Sequence, residues 1–349
     1  MRALIISLLA SAAFAPMAAH AATPWCPVSP ADAAAGLPEV TRQLVSQLNS
    51  TPQPPTHVHT EGTLPHKGIR DESIEAERQL PLMRDAAFAW RAGAGDAYLA
   101  MATRYLNAWV ATYQPDLNPI DETPFDTMID TFAVIQAKMD PKDRDAARTF
   151  FAKWAHDYIQ SMDAKQVVSQ SPQASSWNNN WQSHRVKLVT MIAVALDDDA
   201  LFAEARRLFH AQVDVNIHAD GEVIDFPERD ALHYVTYDLE PLSRAALAAR
   251  QHGEDWFDYQ APGGGSVAKA FAWLYPYANG DKPHEEFKNS KVIFDAQRAA
   301  AGEKGYSGPF DPQTAATVMW TGGQFVPDYL KLAQKLKPTP PSFISMCGN

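Results

Sequence analysis

The spacing of apolar side chains constrains this chain more than any other feature. After Asp96, residues Tyr98, Ala102, Tyr105, Leu106 and Trp109 fall on one face of a helix. Ala147, Phe150, Phe151, Trp154, Ala155 and Tyr158 do the same, and so do Leu201, Ala205, Leu208 and Phe209. Each set follows the i, i+3, i+4, i+7 rule of an amphipathic helix, because 3.6 residues per turn bring those positions to one side. Further helices are expected near 74–92, 126–138, 183–196, 241–251, 265–274, 290–302 and 326–336. No run of alternating β-branched residues persists and no βαβ rhythm appears. The chain is therefore expected to be all-α, an α/α array of unlike helical hairpins closed into a toroid or an incomplete α/α barrel. No repeat of fixed length supports a regular solenoid.

The two ends carry different information. Arg2, the apolar run Leu4 to Leu9 and the small-x-small triplet Ala19-His20-Ala21 form the pattern of a secretory leader over 1–21. A single catalytic domain over 22–349 is expected to follow, periplasmic or secreted, with no membrane span. Cys26 and Cys347 are the two cysteines of the sequence and lie near its ends. In an exported chain a disulfide tying the termini is the natural expectation. Their context does not resemble a zinc site.

A net charge of −11 argues against nucleic acid and anionic membrane as partners. An anionic polymer can bind only where local basic groups overcome that field. Nine Trp and eleven Tyr supply faces for sugar rings, although core packing claims most of them. The polar and aromatic residues concentrate in long segments without helical periodicity. These are 51–70, with His57, His59, Glu61 and His66; 118–124, reading NPIDETP; 169–180; 220–230; 280–287; and 305–323. A helical scaffold with such loops is the expected form of an enzyme with a cleft.

Two clusters carry candidate chemistry. In Asn178-Asn179-Asn180-Trp181-Gln182-Ser183-His184, Asn180 and His184 share a helical face, and a helix start presents free N–H groups to an anion. A helix cap with a packed histidine explains the same residues. In the second cluster, Phe226 to Asp238, Arg229 and Tyr234 stand at the entry to a helix that Pro241 is expected to start or kink. A salt-bridged Arg229 and a packed Tyr234 are the alternative. Together the clusters suit one reaction. The C5 proton of a uronic acid is α to a carboxylate, so its removal needs that carboxylate neutralised by Asn, His and Arg donors. A tyrosine whose acidity an arginine raises can take the proton and return one to the leaving O4. That scheme consumes no water and uses no metal or other cofactor.

These residues resemble those of the alginate-lyase superfamily, in particular polysaccharide lyase family five. Its members carry Asn-Asn-His, then an Arg, then Tyr-x-x-Tyr-x-Leu-x-Pro-Leu, which here reads Tyr234-Val235-Thr236-Tyr237-Asp238-Leu239-Glu240-Pro241-Leu242. Their Trp-Leu-x-Pro-Tyr segment is similar to Trp273-Leu274-Tyr275-Pro276-Tyr277. The chain departs from the pattern at the histidine, which follows Asn180 by four residues, and in this it looks closer to family thirty-eight, with its glucuronan- and alginate-active members. The resemblance implies an α/α toroid, a 1,4-linked polyuronate substrate and no cofactor. Tyr234, His184, Arg229 and Asn180 are the expected catalytic set, with Asn179 the other candidate neutraliser. Trp181, Tyr237, Glu122, His59, Lys282 and His284 are the expected substrate contacts. Two rivals remain. A glycoside hydrolase on a similar toroid would use paired carboxylates from Asp121, Glu122, Asp225 and Glu228. A periplasmic polysaccharide-binding protein would need no tyrosine beside an arginine.

Overall fold

A computed structural model describes residues 30–165 and 175–345; the leader, Cys26 and Cys347 lie outside the described residues. The expected all-α architecture is what the chain adopts. In chain order the helices are α1 (Pro30–Leu44), α2 (Arg70–Glu77), α3 (Gln79–Arg91), α4 (Asp96–Thr112), α5 (Asp126–Ile135), α6 (Pro141–Lys165), α7 (Asn180–Leu196) and α8 (Asp199–Asn216). Then come the short α9 (Phe226–Arg229), α10 (Leu232–Ala249), α11 (Val267–Ala278), α12 (Ile293–Ala300), α13 (Ala316–Gly322), α14 (Pro327–Leu336) and α15 (Ser342–Ser345). Extended pairing among the described residues is limited to Glu285–Glu286 against Gly308–Pro309 and one bridge between Ile217 and Val223. One apolar core runs from Leu44 to Ile344.

α4, α6 and α8 form where the periodicity places them, each burying its apolar stripe. α7 is different. From Gln182 to Leu196 every side chain is buried, including Arg185 and Lys187. It is the central helix, packed against α5, α6, α8 and α10. Its C-terminal half fills the core with Leu188, Val189, Met191 and Ile192, while its N-terminal half carries Asn180, Ser183 and His184 toward the site.

The helix does not start at Pro241. α10 begins nine residues earlier, at Leu232, and carries Pro241 in its interior. A proline there has no N–H for the carbonyl four residues back, which is that of Tyr237. The buried His184 ring packs beside Tyr237, with ring centroids 4.5 Å apart. The burial of α10 against α7 holds the helix through the proline.

Two helix starts are satisfied from a distance. Residue Ala231 gives α10 no capping side chain. The Glu286 carboxylate accepts from the His233 N–H instead, at 3.2 Å. At α7, Asn179 caps by accepting from the Trp181 N–H at 3.1 Å, and Asp225 accepts from the Asn180 N–H at 2.9 Å. First-turn N–H groups need acceptors, and here long-range carboxylates supply them.

Candidate active site

The starts of α7 and α10 open onto a cavity of about 560 Å³. Its floor is Asn180, Trp181, His233, Tyr234 and Tyr237. One wall is Thr60–Gly62 with Ile74 and Glu77; the other is α12 with Arg298, followed by Tyr306. The size suits a small-molecule or saccharide site.

Tyr234 stands at the centre of the arrangement. Its ring lies under the Arg229 guanidinium, 3.7 Å from ring centroid to Cζ, and the Arg229 Nη2 donates to its oxygen at 2.6 Å. Arg229 is itself held by Asp295, which accepts from Nε at 2.8 Å and also from Nη2. Ser290 donates to the same carboxylate at 2.5 Å. This clamp fixes the fork of the arginine and leaves Nη1 without a hydrogen-bond partner among the described residues, so it can meet an anion. Burial pushes the Tyr234 phenol above the usual tyrosine range, with Arg229 pulling against it. In the free protein the tyrosine therefore carries its proton.

Asn180 is buried yet lines the cavity. Its Nδ2 donates to Asp225 Oδ1 at 2.9 Å, so Asp225 grips both the side chain and the backbone of this residue. Its Oδ1 has no hydrogen-bond partner among the described residues. Burial raises the Asp225 carboxyl to about 6, opposed by the hydrogen bonds from Asn180.

Several expected contacts sit elsewhere. His184 is wholly buried behind the cavity, its ring 4.5 Å from that of Tyr237. Burial holds it well below the usual histidine range, so it is neutral. It supports Tyr237 rather than facing the opening. Glu122 is also wholly buried: it accepts from Tyr113 at 3.0 Å, from the Trp154 indole at 2.9 Å, from Tyr158, and from the Asp116 N–H at 3.0 Å. A carboxylate so enclosed organises the 113–122 turn and cannot reach a substrate. Asn179 is the α7 cap and is not part of the lining. His59 is tied through Nδ1 to Asp121 at 2.9 Å, beside the wall it helps to place. His284 donates from Nε2 to the Asp230 carbonyl at 3.0 Å, bracing the α9–α10 turn, and Lys282 lies over the Tyr277 ring at 4.4 Å. Trp181 and Tyr237 do line the cavity, and Tyr237 shares a 3.2 Å hydrogen bond with Thr123.

The cavity also holds groups that sequence reasoning leaves without a role. His233 lines it, and burial together with Arg298 and Arg229 pushes its imidazole down to about 4. It is therefore a free base at neutral pH. Arg298, Tyr306, Glu61 and Glu77 face the same space. His233 lies within the second sequence cluster but beside the stronger candidate. Arg298 sits in a stretch whose only signal is helical spacing, and Tyr306 in a segment that lacks even that. Among the described residues no cluster of His, Cys, Asp and Glu is arranged to hold a metal ion.

The sequence matches the alginate lyase family model over residues 28–284. The chain belongs to the alginate lyase family. It is a polysaccharide lyase, and its α/α toroid is shared with solved members. An alginate lyase from Bacteroides ovatus superposes with a TM-score of 0.62 at 15% identity, over 90% of this chain and 92% of that one. Alginate lyase A1-III from Sphingomonas species A1 superposes with a TM-score of 0.55 at 18% identity, over 84% and 93%. A variant of A1-III complexed with tetrasaccharide gives 0.55 at 18%, over 75% and 81%. No curated protein matches the sequence. No helix among the described residues is long and apolar enough to cross a membrane.

Proposed function

We propose that the lyase cleaves a 1,4-linked polyuronate, alginate or poly-β-mannuronate or β-1,4-glucuronan, with Tyr234 as its proton-transfer group. The observation that carries this reading is the clamped Arg229 donating to the Tyr234 oxygen on a cavity that Asn180 also lines. The free Nη1 of Arg229 and the second Nδ2–H of Asn180 are donors for the C5 carboxylate. With that charge answered, Tyr234, a phenolate once its own proton has passed to solvent, takes the C5 proton, and C4=C5 forms as the C4–O4 bond breaks. The Tyr234 hydroxyl so formed gives that proton to the departing O4 and returns to the phenolate.

A second route for the C5 proton is favoured by one observation: His233 is a neutral imidazole on the cavity, 5.2 Å from Tyr234 between ring centroids. Here His233 is the base and Tyr234 the acid. The carboxylates named for a hydrolase do not favour the rival chemistry, since Asp121, Glu122 and Asp225 are buried and hydrogen-bonded within the fold and Glu228 does not line the cavity.

The test is an ultraviolet absorbance screen of the purified protein on the three polymers. Growth of an absorbing, unsaturated end is expected; reducing ends without absorbance, or no product on any of them, would remove the reading. The leader over 1–21 and a Cys26–Cys347 disulfide go with export. Mass spectrometry of the secreted or periplasmic protein should give a chain beginning near Ala22 and two hydrogens lighter than its reduced form. An intact leader in that fraction would count against export by this route.

A further inference from the structure

One buried carboxylate touches both sequence motifs that meet at the cavity. Asp225 is enclosed by the fold and is not part of the lining. Its Oδ2 accepts from the Asn180 N–H and its Oδ1 from Asn180 Nδ2, both at 2.9 Å. Its backbone carbonyl accepts from the Arg229 N–H at 2.9 Å in the single turn of α9. The head of α7 and the arginine that donates to Tyr234 are thus tied to one position. An ionised carboxylate only accepts, so it must be met by the NH2 of the Asn180 amide and not by its oxygen. That choice decides what the amide has left to offer. Asn180 Oδ1 is shut from solvent without a hydrogen-bond partner among the described residues, and the group that remains is the second Nδ2–H.

We infer that Asp225 is a positioning residue: as a double acceptor it sets the Asn180 amide so that a donor, and not an acceptor, is offered to the substrate carboxylate. Were the amide turned over, Oδ1 would take the place of Nδ2, and an acceptor would stand where the C5 carboxylate needs a donor. The shape of an amide does not forbid that turn, since its oxygen and nitrogen fill nearly the same space. The group opposite decides it. Asp225 touches no reacting atom and acts through Asn180. The inference rests on the lyase reading for the role of the amide, while the orientation of the amide rests on hydrogen bonds within the fold.

The groups facing Asp225 are Asn180 from α7, Glu228 and Arg229 from α9, and Asp238 from α10. Arg229 spends Nε and Nη2 on Asp295 and Tyr234. Asp238 Oδ1 accepts from the Ser183 hydroxyl at 2.7 Å and from Asn216 Nδ2 at 3.3 Å. Burial, with Asp225 adding to it, holds the Asp238 carboxyl well above the usual range, so Asp238 keeps its proton. Asp225 is then the member of the pair that ionises, above about 6. Below that value one of its oxygens becomes a donor, and the amide can turn to meet it. The turned amide is the inactive one, so turnover should fall as pH drops through that value.

The experiment is Asp225→Asn in the full chain, read by steady-state kinetics and by neutron diffraction of deuterated crystals, which tells an amide nitrogen from its oxygen. The variant keeps the shape of the side chain but offers one acceptor to two donors. The Asn180 N–H keeps that acceptor, and the Asn180 amide should turn over to accept from the new NH2. A hydrogen bond to a charged group is worth roughly a ten- to hundredfold factor, so kcat should fall by about that much. The acidic limb of the pH–rate profile, near about 6 in the wild type, should vanish. In an Asn180→Ala background the same substitution should cost less than about twofold, because no amide is left to turn. If Asp225→Asn fails to fold, wild-type crystals held below and above that pH replace it, and the amide should be turned only in the acidic ones. An unturned amide, a turned amide with kcat unchanged, or an equal loss of kcat in both backgrounds would overturn the inference and leave Asp225 a cap of α7. Absence of turnover on every polyuronate would count against the lyase reading alone, because the diffraction still shows which way the amide lies.

Discussion

Two charged regions meet at Tyr237 and treat their ionisable groups in opposite ways. Behind it, charged groups pair with one another. Lys187 is buried and donates to Asp126 at 3.1 Å, to the Thr123 carbonyl at 3.2 Å and to Glu240 at 3.4 Å. Arg244 donates to Asp130 at 2.9 Å and covers the Phe343 ring at 4.0 Å. Glu122 is ringed by donors. In front of it, Arg229, His233, Tyr234, Arg298, Tyr306, Glu61 and Glu77 keep part of their bonding capacity toward a cavity. Both regions are polar and both are largely enclosed by the fold. The difference lies in what each group faces. A buried charge that is fully paired fixes how helices sit. A group held firmly on one side and open on the other is ready for a ligand.

Substitutions can break this division, and the largest effect is expected in front. Tyr234→Phe should lower turnover by roughly 10²–10⁴-fold with little change in the unfolding midpoint, as measured by steady-state kinetics and calorimetry. Activity within tenfold of wild type would move the proton-transfer role to another group, with His233 first in line. Behind Tyr237 the expected loss is of stability. Lys187→Met strands Asp126 and Glu240 and should destabilise the fold by about 3–5 kcal/mol in urea denaturation, with kcat of the folded fraction unchanged.

His184→Ala sharpens the boundary. The residue packs on Tyr237 without lining the cavity, so the expected result is a loss of about 2–3 kcal/mol in stability and an unaltered pH–rate profile. A changed profile at normal stability would mean that His184 communicates with the reacting proton. The smallest effect concerns Glu77. Its Oε1 has no hydrogen-bond partner among the described residues, and burial raises its carboxyl to about 7. As pH rises through that value the group becomes an anion beside a polyanionic substrate, so KM should climb by a factor on the order of a few. Glu77→Gln removes the charge and should flatten that climb; an identical climb in the variant would place Glu77 outside the substrate's reach.

Much of the scaffold is legible without the structure. α4, α6 and α8 each have one apolar face, and a one-sided helix writes its period into the sequence. α7 is buried all round, which erases the period, and so its first residues can be placed only by chemistry. The start of α10 escapes sequence reasoning for a related reason. Its cap is Glu286, far along the chain, and Pro241 looks like a boundary although packing against α7 carries the helix through it. Asn180, Arg229, Tyr234, Trp181 and Tyr237 stand out from motifs, and the structure brings them onto one cavity. Glu122, His59, His284 and His184 stand out by residue type in polar segments, and residue type does not reveal which side of a wall a group occupies.

By itself the sequence determined the helical class, the family and the residues at the head of α7 and α10, because local periodicity and short motifs are properties of neighbouring positions. Only the tertiary structure decided which polar groups are enclosed and which face the cavity. That depends on partners distant along the chain: Asp225 on Asn180, Asp295 on Arg229, and Glu286 on α10. Such contacts leave no spacing in the sequence, since it is the packing of whole helices that sets their distance.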